Sequence, residues 1–166
     1  MKITIEKASP ADAEALIEYL KQAGGETDNL TFGAEGLPVS AEEEAGFLER
    51  VQTSGDDLFL VAKEDGDIVG TASLNRLPRR MRHRGEFSVS VLKEYWNRGI
   101  GSRLLERVLE FARAQDFAVI ELQVRSDNAA AIHLYEKFGF QKFGTHPAFF
   151  VVEGQKIPFD FMYLRL

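Results

Sequence analysis

A mixed α/β fold, expected to form one domain over residues 1–166, follows from three features of this sequence. Short runs of alternating apolar and polar residues are interspersed with longer stretches whose apolar residues recur at helical spacing. Residues 58–62 and 68–74 flank Glu64-Asp65-Gly66-Asp67, a turn pattern that reads as a β-hairpin. A strand–helix–strand unit occupies the centre, and no internal repeat, low-complexity tract or linker divides the chain.

Met1-Lys2-Ile3-Thr4-Ile5-Glu6 lacks the long apolar core of a signal peptide and reads as a first strand. Ser9-Pro10-Ala11-Asp12 combines an N-cap, a proline at the first helical position and a capping-box acid. The helix it opens should reach about Gln22, carrying Ala15, Leu16, Tyr19 and Leu20. Gly24-Gly25, Gly33 and Gly36-Leu37-Pro38 mark a loop. Ser40-Ala41-Glu42-Glu43 repeats the capping box, with Phe47, Leu48 and Val51 as the buried stripe of a second helix. After the hairpin, an arginine-rich loop precedes a strand over 86–92. Ile100, Leu104, Leu105, Val108 and Leu109 then predict a helix over 99–115, and alternation predicts a half-buried strand over 118–124. A short helix over 128–138 ends at Gly139, and 141–145 and 160–166 read as the two last strands.

Composition bounds the function. With 45 % apolar and 28 % charged residues the chain is ordinary for a globular protein and long enough to bury a core without staples. It has no cysteine, which removes disulfides, thiolate metal sites and a cysteine nucleophile together. His83, His133 and His146 are too scattered to give a metal-ligand spacing, so no metal is expected. A net charge of −6 argues against broad attraction to nucleic acid. No apolar run approaches bilayer length, so a membrane is not expected as a partner and a cytoplasmic location is.

The most informative stretch is Val89-Ser90-Val91-Leu92-Lys93-Glu94-Tyr95-Trp96-Asn97-Arg98-Gly99-Ile100-Gly101-Ser102. A strand runs into a turn, and two glycines open an amphipathic helix. Such a start presents unpaired main-chain N–H groups and the positive end of the helix dipole. Glycines at 99 and 101 let that main chain approach a phosphate with no Cβ in the way, Arg98 adds a fixed positive charge and Ser102 a hydroxyl. The segment is not a Walker loop, since Ser102-Arg103 follows Gly101, nor a dinucleotide fingerprint, whose third glycine is Leu104 here. Taken alone, it also fits a helix start whose glycines merely allow tight packing.

Downstream lies Asn128-Ala129-Ala130-Ala131-Ile132-His133-Leu134-Tyr135-Glu136-Lys137-Phe138-Gly139-Phe140. Together the two segments resemble the GNAT superfamily of acetyl-CoA-dependent N-acetyltransferases. That superfamily's loop has the form Gln/Arg-x-x-Gly-x-Gly/Ala, and its later hallmark is Asn-x-x-Ala-x-x-Leu-Tyr-x-x-x-Gly-Phe. Asn128, Ala131, Leu134, Tyr135, Gly139 and Phe140 fall on the second pattern. Trp96 departs from the first, where Gln or Arg is usual. The resemblance covers 86–140 in motif detail and most of the chain in element order. It implies a mostly antiparallel sheet with one parallel strand pair splayed around a pantetheine arm, flanked by about four helices.

The resemblance also implies roles. Val89, Ser90 and Val91 would pair with the pantetheine amides, and Asn97, Arg98, Gly99, Ile100, Gly101 and Ser102 would hold the diphosphate of acetyl-CoA. Asn128 matches a position that often bonds the cofactor arm, and it also reads as a plain N-cap. Tyr135 matches the general acid near the thioester sulfur, its other reading being a core aromatic. A thiol has a pKa near 8.5 and a tyrosine near 10, so full proton transfer from Tyr135 to thiolate is uphill by roughly 2 kcal/mol. Tyr135 is therefore expected to donate a hydrogen bond to the leaving sulfur. Some relatives use a glutamate as base where this chain has Gln123, which cannot accept a proton. Glu86 is the replacement candidate, on a strand face shared with Ser88 and Ser90, though it also reads as an exposed strand-end carboxylate. Without cysteine, direct attack of the amine in a ternary complex is the simpler mechanism.

For the acceptor, residues 22–60 hold nine acids (Glu26, Asp28, Glu35, Glu42, Glu43, Glu44, Glu49, Asp56, Asp57) against one base, Arg50. An acidic wall would suit a small cationic amine such as a polyamine, and a solvated helix face is the bland alternative. Asp160 is a further acceptor-binding candidate. Arg76, Arg79, Arg80, Arg82, His83 and Arg84 form a basic run that would meet the adenosine 3′-phosphate, an acidic partner or RNA, or is simply a hydrated loop. Acetylation of a protein N-terminus or lysine, a non-catalytic acyl-CoA sensor and an interaction module remain the alternatives. The resemblance implies a possible homodimer with no residue pattern behind it.

Overall fold

In the computed structural model, which describes residues 2–166, seven strands build one sheet. They are β1 (Ile3–Lys7), β2 (Leu58–Glu64), β3 (Asp67–Arg76), β4 (Arg84–Val91), β5 (Val119–Arg125), β6 (Gln141–Val152) and β7 (Gln155–Arg165). Their spatial order is β1-β2-β3-β4-β5-β7-β6, and every neighbouring pair is antiparallel except β4 with β5. Four α-helices complete the mixed fold: α1 (Ala13–Glu26), α2 (Ala41–Ser54), α3 (Ile100–Ala114) and α4 (Ala129–Lys137). Met1, read as the head of β1, lies outside the described residues.

The local signals work as their chemistry demands. Ser40 and Glu43 close a reciprocal capping box at the start of α2, and Ser9 with Asp12 closes the one ahead of α1. Asp65 (φ 49°) and Gly66 (φ 88°) supply the two positive φ values that a two-residue hairpin turn between β2 and β3 needs. The stripe Ile100, Leu104, Leu105, Val108, Leu109 and Ala112 of α3 is buried against β2, β3 and β4. Each large side chain there contributes about 1.5–3 kcal/mol by leaving water.

The largest boundary differences from the sequence reading lie in α1 and in the last hairpin. Helix α1 continues past Gln22 through Gly24 and Gly25 to Glu26. A Cβ on Gly24 would lie 2.1 Å from the Gly33 carbonyl oxygen, so this glycine lets the following loop pack on the helix. The strands expected at 141–145 and 160–166 are ends of a much longer β6–β7 hairpin, turning at Glu153-Gly154. A register shift between His146 and Phe150, carrying Pro147, breaks the alternation that would have disclosed it.

The sheet has two dressed faces. Tyr19 of α1 reaches Ser90 of β4, so α1 lies on the side of Glu86, Ser88 and Ser90. Phe87, on the opposite side of the same strand, meets Tyr135 of α4. These are called the α1 face and the α4 face below.

Candidate active site

Strands β4 and β5 pair over three positions: Arg84 with Val119, Gly85 with Ile120, and Glu86 with Glu121. Beyond them β4 follows β3 as far as Val91, and β5 follows β7 as far as Arg125. The parallel pair therefore splays into a V whose apex lies at Glu86 and Glu121. The Leu92 N–H donates to the Val69 carbonyl (2.9 Å) and the Leu77 N–H to the Arg84 carbonyl (3.0 Å), which sets the alternation along β4. Arg84, Glu86, Ser88 and Ser90 turn their main-chain groups to β3, whereas Phe87, Val89 and Val91 turn theirs into the V. Of the three residues expected to pair with a pantetheine arm, Val89 and Val91 thus present their main chain to the gap. Ser90 presents its main chain to β3, and its hydroxyl is held by Tyr19 (2.8 Å) and Thr71 (2.9 Å).

At the open end of the V the chain makes a short 3-10 turn, Lys93–Tyr95, before entering α3. Asn97 (φ 62°) and Gly99 (φ 77°) both take left-handed conformations there. Gly99 has no side chain to cap α3, and the first intrahelical bond runs from the Arg103 N–H to the Gly99 carbonyl. The N–H groups of Ile100, Gly101 and Ser102 thus open the helix at its dipole-positive end. Gly101 has no positive φ, and a Cβ on it would meet only Leu134, at an ordinary 3.5 Å. Packing therefore does not demand a glycine at 101. Trp96, the departure from the loop pattern, donates its indole N–H to the Val91 carbonyl (2.8 Å) and ties the turn to the strand.

Tyr135 lies at the apex on the α4 face, 7 % exposed, its ring edge-on to Phe87 (6.2 Å) and tilted to Phe140 (5.8 Å). Burial pushes its phenol well above the usual tyrosine range, so it stays protonated and widens the gap to a thiol. Asn128 is the N-cap of α4, its Oδ1 accepting from the Ala131 N–H (3.2 Å). Asp160, 6 % exposed, accepts hydrogen bonds from Ser126 (2.7 Å) and Thr145 (2.9 Å) and faces Lys142 at 3.5 Å. It points to the α4 face and anchors the turn into α4.

The α1 face of the V carries Glu86, Ser88, Glu121, Gln123 and Arg125. Glu86 is exposed. Arg84 makes a forked bond to Glu121, and Arg125 bonds both Asp127 and the Asp28 carbonyl (3.3 Å) of the loop after α1. Phe161 lies in register with Gln123. The register shift in β6 lays Phe149 over Phe159 (stacked, 4.5 Å) and edge-on to Phe161 (5.8 Å). An aromatic wall thus stands beside the V on this face.

The acidic wall expected from residues 22–60 is dispersed. Glu43 is spent on its capping box, Glu26 on the Lys93 N–H, and Asp57 on the Arg76 N–H. Asp56 pairs with Arg76 and Arg82, and Glu44 is buried. Part of the basic run is likewise taken up: Arg76 lies 3.8 Å over Phe117, Arg82 pairs with Asp56 and Arg84 bonds Glu121, while Arg79 and Arg80 are exposed. This loop sits at the opposite end of β4 from the turn at residues 97–102, eight residues or roughly 25 Å away, too far to meet a phosphate placed on that turn.

The family model "Acetyltransferase (GNAT) family" matches residues 26–140, more than two thirds of the chain. The chain belongs to the GNAT acetyltransferase family. It is 33 % identical over 153 residues to the N-alpha-acetyltransferase RimI of Mycobacterium tuberculosis, covering 92 % of this chain and 87 % of that one. It is 27 % identical to an L-methionine sulfoximine/L-methionine sulfone acetyltransferase of Pseudomonas aeruginosa, covering 100 % and 96 %. A GNAT acetyltransferase structure from Streptococcus pneumoniae superposes with a TM-score of 0.95 at 32 % identity, covering 99 % and 100 %. The protein is an acyltransferase with acetyl-CoA as its acetyl donor and an amine as acceptor. No helix among the described residues is long and apolar enough to cross a membrane.

In this GNAT site, sequence reasoning missed the groups that hold the machinery rather than those that form it. Glu26 and Glu64 fasten the turn, Tyr19 and Thr71 fasten Ser90, and a bulge brings Phe149 onto Phe159 beside the V. All are contacts between distant segments; only the capping boxes and glycines carried local signals.

Proposed function

We propose that this enzyme acetylates the α-amine of a small molecule with an apolar side chain, by direct attack in a ternary complex. The observation that carries the reading is the V between β4 and β5, with Tyr135 at its apex and bare helix N–H groups at its mouth. Acetyl-CoA lies with its diphosphate on residues 97–102 and its pantetheine amides against Val89 and Val91. Its thioester then reaches the apex. Asn128 borders the arm while capping α4. The amine enters from the α1 face, where Glu86 accepts its proton through a water molecule. Attack on the carbonyl carbon forms the C–N bond, and collapse breaks the C–S bond. Tyr135 donates a hydrogen bond to the departing sulfur, and the proton the sulfur acquires comes from the ammonium of the intermediate. The hydrogen-bond donor and the base thus stand on opposite faces of the sheet with the thioester between them.

The dispersal of the acidic residues argues against a polyamine, and the aromatic wall of Phe149, Phe159 and Phe161 favours an apolar side chain beside the amine. Acceptors named for two relatives, an N-alpha group and an L-methionine derivative, agree with an α-amine. Thiol release across a panel of amino acids, peptides with free N-termini and polyamines tests this. Apolar amino acids should give the highest kcat/KM, whereas preference for spermidine would restore the cationic reading and no thiol release would favour a sensor. Glu86→Gln should lower kcat by about 10²-fold with the acetyl-CoA KM unchanged; an unchanged kcat would dismiss Glu86 as base.

A further inference from the structure

The phosphate-binding turn contains one full cation, Arg98, and an exposed arginine on a loop would ordinarily sample many rotamers. Here its guanidinium lies 4.9 Å from the centre of the Tyr95 ring. The Tyr95 hydroxyl in turn donates to Oε2 of Glu64, at the end of β2, which pushes the phenol up to about 12. Glu64 is buried, 7 % exposed, and its other oxygen, Oε1, has no hydrogen-bond partner among the described residues. A buried carboxylate with an unmet acceptor is costly, so Glu64 is poorly explained as a contribution to stability. What it does do is reach across from a strand 31 residues earlier and hold the one aromatic ring that supports the turn's cation.

We propose that Glu64 is a positioning residue for acetyl-CoA binding: through Tyr95 it holds Arg98 over the diphosphate site. This rests on the reading of residues 97–102 as the diphosphate cradle. The arrangement makes an unusual demand on sign. Simple electrostatics says that removing a carboxylate beside an anion site tightens anion binding. Positioning says the opposite, because losing Glu64 releases Tyr95 and lets Arg98 leave its post.

Steady-state kinetics with two donors separates these. Acetyl-CoA carries the diphosphate, and acetyl-pantetheine carries the same thioester without it. Glu64→Leu, Glu64→Gln, Tyr95→Phe, Arg98→Met and the double variant Glu64→Leu/Arg98→Met are compared in the full chain, with thermal melting alongside. Glu64→Leu is expected to raise the acetyl-CoA KM about fivefold with kcat and acceptor KM unchanged, to leave kcat/KM for acetyl-pantetheine unchanged, and to melt no lower than wild type. Tyr95→Phe, which keeps the ring but loses the tether, should match it, and Glu64→Gln, which still accepts from the phenol, should recover most of the loss. The double variant should bind acetyl-CoA no worse than Arg98→Met alone. Tighter acetyl-CoA binding in Glu64→Leu, equal loss for both donors, or full additivity with Arg98→Met would each overturn the proposal. If wild type instead shows no preference for acetyl-CoA over acetyl-pantetheine, the cradle itself is misassigned, a separate failure.

Discussion

The donor side and the acceptor side of this site are built by opposite strategies. On the proposed reading the donor side comes from one continuous stretch, β4 through α4, and its working parts would be main-chain groups: the inward edges of Val89 and Val91 and the N–H groups at the start of α3. The proposed acceptor side would draw on side chains from segments far apart in the sequence, Glu86 on β4, Arg125 with the loop after α1, and Phe149 on a bulge of β6. Main-chain recognition depends on backbone path, which glycines and turns enforce locally. Side-chain recognition depends on which strands become neighbours, so it can change without disturbing the donor. A fold that keeps one donor and varies its acceptor would be divided in just this way.

That division can be broken or sharpened by substitution. The largest effect is expected at the apex, which both sides share. Tyr135→Phe should lower kcat by about 10²-fold while leaving the acetyl-CoA KM within about twofold, since only the transition state gains from the hydroxyl. Because burial raises the Tyr135 pKa, the phenol does not ionise within the working range, and the basic limb of the wild-type profile should persist in the variant. A smaller effect confined to one side is expected at Phe149. Phe149→Ala should raise the KM for an apolar acceptor roughly tenfold with acetyl-CoA binding unchanged, whereas a matching loss of donor affinity would mean the two sides are not independent.

The smallest effect concerns Asp160, which joins β6–β7 to the turn into α4. Burial works to raise its pKa, but bonds from Ser126 and Thr145 and the nearby Lys142 prevail and hold it below the usual carboxylate value of 3.8. Its folded pKa is therefore below its unfolded one. The stability it contributes is present above about pH 4 and is lost as pH falls through the folded value. Asp160→Asn should be less stable at pH 7 by roughly 2 kcal/mol in denaturant unfolding, and the difference from wild type should shrink toward pH 3. A constant difference across that range would deny the carboxylate its ionised role.

The same division governs what the sequence discloses. The hairpin at Asp65-Gly66, both capping boxes, α3 and α4 were legible because each rests on residues within a few positions of one another. Gly24 and Gly25 read as a helix end because a glycine's reason for being there, contact with Gly33, is invisible locally. Pro147 and Pro158 hid the middle of the last hairpin by interrupting period-two alternation. Arg76, Arg82 and Arg84, read as one basic patch, are joined to Asp56, Phe117 and Glu121 by strand pairing that no sequence window contains. Asp160 looked like an acceptor ligand because its polarity is evident in sequence and its partners, Ser126 and Thr145, are not.

Main-chain capture of a diphosphate at residues 97–102 is what the whole account depends on, and Gly101 tests it because a Cβ there meets only Leu134 at an ordinary 3.5 Å. Calorimetric titration of coenzyme A into wild type and Gly101→Ala should show binding that weakens by about tenfold in the variant, with thermal melting showing both proteins equally folded. Equal affinity in the two, or no coenzyme A binding by folded wild-type protein, would contradict the account.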